Sequence, residues 1–127
     1  MNAHTFVAKG INMAEMLDCL VSYSSENTNA EGLPRRFLSY FVVASPGPLD
    51  GSGIASITPL AAYDENPVCK TCERVLAVKA GGPAAAMDEA VVYLNAYHEG
   101  DRLRCVRSEV RSSRAHTDTE EAKPAHS

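Results

Sequence analysis

At 127 residues, with 45% apolar and 22% charged side chains, the chain has the size and composition of one globular domain that can fold without metals or disulfides. Its formal net charge of −4 argues against a generic polyanion binder, which is usually basic. No apolar run approaches the ~20 residues of a membrane-spanning helix, and the first ten residues lack the pattern of an export signal, so the expectation is a cytoplasmic protein with no membrane partner.

Residues 4–7 suit a short edge strand or a frayed start. Asn12 can cap a helix, Glu15 stands in capping-box position, and Ile11 and Met16 are placed as a hydrophobic staple. Met13, Met16, Leu17, Leu20 and Val21 then repeat at helical spacing, which predicts an amphipathic helix over 13–23. Met-rich faces can serve as adaptable binding surfaces, but plain core packing explains this one as well. Residues 24–34 are polar and read as a loop. Residues 37–44 are apolar on both alternating faces, as in a central strand, and end at Ser45-Pro46-Gly47-Pro48.

A second strand is predicted over 54–62, with Pro59 demoting it to an edge or a broken strand. A third follows over 72–80. Gly81-Gly82-Pro83 opens a second helix over 83–99, with Met87, Ala90, Val91, Leu94 and Tyr97 as its buried stripe and Gly100 as its stop. Residues 101–112 form a last strand. Leu103 and Cys105 share one face and Val106 and Val110 the other, a change of phase that predicts a β-bulge near Cys105-Val106.

These elements predict an α+β domain over 1–112, followed by a disordered polar tail over 113–127. The sheet is expected to be small and mainly antiparallel, of three to five strands, with two helices packed on one face. It becomes mixed if the strands flanking the second helix lie side by side.

Three features could carry chemistry. The first is the CxxC at Cys69 and Cys72, spaced for two zinc ligands or a redox pair. No second ligand pair accompanies it, and a strand-like run follows where a redox motif needs a helix N-terminus, so reduced thiols at a strand start are the favoured reading. The second is charge. Residues 1–101 hold twelve acids and six bases, whereas 102–114 hold five Arg and one Glu. Arg102, Arg104, Arg107 and Arg111 would all lie on one face if the bulge falls at Cys105-Val106. They could then grip phosphates or a carboxylate-rich partner. The competing reading is a charged edge that resists sheet-to-sheet aggregation.

The third feature, Gly81-Gly82-Pro83, could cradle an anion but lacks the residues of a P-loop, and a tight strand-to-helix turn accounts for it. No catalytic constellation and no cofactor signature is apparent. His98 at the end of a helix is explained by the helix dipole. The leading expectation is a non-enzymatic interaction module with a protein partner or a second copy of itself. Nucleic-acid binding through the Arg-rich strand and a thiol-based metal or redox site are the alternatives. Arg exceeds Lys and Ala is abundant, a usage common in GC-rich bacterial genomes.

Overall fold

Extended segments whose side chains alternate between buried and exposed build most of the molecule. The computed structural model describes residues 16–65 and 70–112. They form β1 (Leu17–Ser25), β2 (Arg36–Pro46), β3 (Gly53–Asp64), β4 (Arg74–Val78), α1 (Gly82–Tyr97), β5 (Leu103–Arg107) and β6 (Arg111–Ser112). The strands make one sheet in the order β4-β3-β2-β1-β5, with the short β6 also pairing with β1. Every pair is antiparallel. The small α+β class is as expected, but a single helix is found among the described residues.

The expected first helix is a strand. Cys19, Val21 and Tyr23 are buried, while Leu20 between them is 40% exposed. That is a period of two, and it overrides the helical spacing read from Met16, Leu17, Leu20 and Val21. The cause is tertiary: β1 pairs with β2 along eight residues, from Leu17 with Ala44 to Ser24 with Phe37. The ladder and the core it closes outweigh a weak local preference. The predicted cap at Asn12, the strand at 4–7 and the tail over 113–127 lie outside the described residues.

The strand predicted over 54–62 is longer, and Pro59 sits where the β2–β3 register shifts, opposite Tyr40. The irregularity accommodates the proline that a regular ladder would reject. The strands flanking α1 share the sheet but occupy its two opposite edges, so they form no parallel pair and the sheet of described strands is not mixed. The bulge in the last strand falls later than expected. Val21 faces Arg107 and Asp18 faces Arg111, so three steps along β1 match four along its partner. The extra residue lies within 108–110, where the Ser108 amide donates to the Leu20 carbonyl at 2.8 Å and the Leu20 amide donates to Ser108 Oγ at 2.8 Å.

α1 begins after Gly81, whose φ of 93° is the left-handed conformation that glycine adopts at little cost. Pro83, Ala86, Met87, Ala90, Val91 and Leu94 form its buried stripe. They pack on Cys19, Val21, Leu38, Tyr40, Val42, Ala44, Ala55 and Ile57 to make the core. The helix start lies so close to β3 that a Cβ at Gly53 would run into the carbonyl of Gly82. Among the described residues no helix is long and apolar enough to cross a membrane.

Candidate functional site

The two faces of the sheet differ. On the helix-covered face, at the C-terminal end of α1, a polar cluster sits inside the apolar core. Tyr40 is fully buried and His98 is 4% exposed. Tyr40 Oη lies 2.8 Å from His98 Nε2 and accepts a hydrogen bond from the Cys72 amide at 3.1 Å. His98 Nδ1 lies 3.1 Å from Asp101 Oδ2. A carboxylate only accepts, so Nδ1 carries a hydrogen, while Nε2 and the Tyr40 hydroxyl share the other bond. Both imidazole nitrogens are thereby used within the fold. Arg36 donates to the Asp101 carbonyl at 3.3 Å and to Asp64 Oδ2 at 3.0 Å, which extends the cluster to the ends of β2 and β3.

Tyr23 packs beside His98 with ring centroids 4.8 Å apart and donates to Asn95 Oδ1 at 2.5 Å. Burial, then the nearby Cys105, pushes the Tyr23 phenol far above its ordinary range. Tyr23, Asn95, His98, Arg102, Leu103 and Cys105 border an open hollow of about 520 Å³. Arg102, at its rim, is the one non-glycine residue with a positive φ among the described residues, at 60°. No buried side-chain nitrogen or oxygen among the described residues lacks a hydrogen-bond partner. This cluster therefore works as a pin between α1 and the sheet, with its imidazole already committed on both sides.

On the opposite face no described helix or strand packs. Cross-strand partners share a face, so the register places Val106, Leu20, Phe41, Val43, Ile54 and Val75 together there, interleaved with Ser22, Ser39, Ser56 and Thr58. Val75, Val106 and Leu20 are 66%, 53% and 40% exposed. Charge is confined to the margins. Asp18 and Arg111 form an ion pair at 2.9 Å at one end, and Arg104 stands at the other.

The four arginines singled out in the sequence do not converge. Arg102 precedes β5, in the turn. Arg104 and Arg111 lie on the uncovered face, Arg111 tied to Asp18, and Arg107 lies on the other face opposite Val21. A bulge after Arg107, rather than before it, leaves Arg107 out of phase with its neighbours. Of the CxxC, Cys69 lies outside the described residues. Cys72 is buried in the core, and burial raises its thiol pKa while Arg74 works in the opposite direction. Cys19, Cys72 and Cys105 are free thiols. No cluster of metal-binding side chains occurs among the described residues. Gly81-Gly82-Pro83 serves as the turn into α1.

Residue-by-residue reading missed the pin because Tyr40 and His98 stand 58 positions apart. The open face has no local sign because the first strand carries helical spacing in its sequence. Comparison with family models, characterised proteins and solved structures gives no match.

Proposed function

We propose that the chain is a non-enzymatic protein-interaction module whose working surface is the uncovered face of the sheet. The observation that carries this reading is that Val106, Leu20, Phe41, Val43, Ile54 and Val75 share one face, interleaved only with small hydroxyl side chains and with charge at its margins. A face of this kind suits an apolar protein surface: its exposed aliphatic side chains would be covered on binding, while the Asp18–Arg111 pair and Arg104 form a polar rim. The committed imidazole of His98 gives the fold a rigid support for that face rather than a reactive group.

Photo-crosslinking tests the reading. A benzophenone side chain is placed at Leu20 or at Val106 in the full chain, with Val92, exposed on α1, as the control position. Defined adducts with a partner protein at positions 20 and 106 but not at 92 support the reading. No adduct at either position, or equal adducts at all three, overturns it.

A further inference from the structure

The two edges of the sheet are built differently. β5 carries Arg104 and Arg107, and a bulge follows it, two devices that discourage a further strand from pairing. β4, at the other edge, has no bulge and a single arginine, Arg74, whose guanidinium lies 4.9 Å over the Tyr93 ring. It reads Arg-Val-Leu-Ala-Val, it pairs with β3 from Gly53 to Ile57 without a register shift, and its far side faces no described strand. Val75 and Ala77 are exposed. One acid and one base flank this apolar strand: Glu73 just before it and Lys79 just after it, both exposed.

We infer that β4 pairs with β4 of a second copy of this chain, antiparallel about a twofold axis at Leu76. Closed twofold assembly sets two identical strands antiparallel. In this register Leu76 faces its own copy, Val75 faces Ala77 of the second copy, and Arg74 faces Val78. Glu73 then faces Lys79 of the second copy, and the symmetry repeats that pair at the other end. Sliding the strands by one residue would turn the helix-covered side of one copy toward the uncovered side of the other. Sliding the axis to Val75 or to Ala77 keeps the faces matched but separates Glu73 from Lys79. The register centred on Leu76 alone matches faces and charges together. It joins two sheets into one, keeps both α1 helices on the same side, and brings Val75 and Ala77 of each copy into one apolar strip on the uncovered face.

This inference stands on the sheet's edge and not on its face, so variants at 73 and 79 test it separately from the proposed partner surface. Sedimentation of the full chain from micromolar to millimolar concentration is expected to show a monomer–dimer equilibrium that weakens with salt. E73K and K79E each place like charges at both ends of the strand pair and should weaken the dimer roughly tenfold. The double variant E73K/K79E restores the pairing, and an equimolar mixture of the two single variants should form a mixed dimer more tightly than either alone. Circular dichroism of each variant verifies the fold. A folded protein that stays monomeric throughout overturns the inference, as does a dimer that neither single variant weakens.

Discussion

Replacing Tyr40 with Phe removes one oxygen from the centre of the core and leaves its shape almost unchanged. That oxygen serves two buried groups. It accepts from the Cys72 amide at 3.1 Å and shares a hydrogen bond with His98 Nε2 at 2.8 Å, with Tyr40 fully buried and His98 and Cys72 each 4% exposed. After the change both groups lose this partner inside the core, and a buried polar group left without a partner costs about 1–3 kcal/mol. Two such groups set the expected loss for Y40F at about 2–4 kcal/mol, a large fraction of the ~5–15 kcal/mol that holds a typical domain together.

Tyr23→Phe is the matched control. The hydroxyl of Tyr23 donates to Asn95, an exposed residue that water can reach. Y23F should therefore cost only about 1 kcal/mol. Urea unfolding followed by circular dichroism measures both. With a slope of ~1–3 kcal/mol/M for a small domain, Y40F should lower the midpoint by roughly 1–2 M. If the two variants lose the same stability to within about 0.5 kcal/mol, Tyr40 is not the pin described here.

Further outcomes follow from the same structure. Gly53→Ala drives a methyl group into the Gly82 carbonyl and should cost about 2 kcal/mol or more. Gly100→Ala, strained by its φ of 90° but facing open space, should cost only about 1 kcal/mol; equal thermal shifts would contradict the close approach of β3 to α1. In a C69S background a thiol reagent should modify Cys105 at once and reach Cys19 and Cys72 only after unfolding, and two fast-reacting thiols in the native protein would refute the burial of Cys72. Because the folded-state pKa of Tyr23 is raised, its contribution to stability is complete below about pH 10 and is lost as pH rises and unfolded phenols ionise. Y23F should show a shallower alkaline loss of stability in pH-dependent melts, and an unchanged profile would deny Tyr23 that role. Oligonucleotide binding followed by anisotropy should have a log–log salt slope shallower than about −2, since the four arginines are dispersed. A steep slope that disappears when Arg102, Arg104, Arg107 and Arg111 are all changed to Ala would instead establish the nucleic-acid reading.

Much of the fold was legible wherever one signal had no rival. The apolar run at 37–44, the Gly-Gly-Pro helix start and the stripe Met87, Ala90, Val91, Leu94 are each found, whereas Tyr97, expected to close that stripe, is 40% exposed. The first strand had two readings. Met16, Leu17, Leu20 and Val21 fit a helix, while Cys19, Val21 and Tyr23 fit a strand only if cysteine and tyrosine are counted as core. The ladder to β2 decides between them, and no local rule contains that ladder. The arginine pattern failed for a smaller reason: a bulge displaced by a few residues reverses which face Arg107 occupies. The pin among Tyr40, His98 and Asp101 had no local sign at all, because it exists only once β2 and the end of α1 meet.

The strand order also sets a schedule for assembly. β1 to β4 form a meander of neighbours, but the second partner of β1 arrives last, and Leu20 and Ser108 meet across 88 residues. Long-range closures of this kind slow folding relative to local hairpins. On a ribosome moving at ~5–20 residues per second, the 82 residues from Glu26 through Arg107 take on the order of 4–16 s to be made. During that interval β1 is an open edge with one apolar face, that of Cys19, Val21 and Tyr23. A nascent chain is thus most exposed to mispairing before its helix and last strand emerge, at the very strand that later lies one place in from the edge.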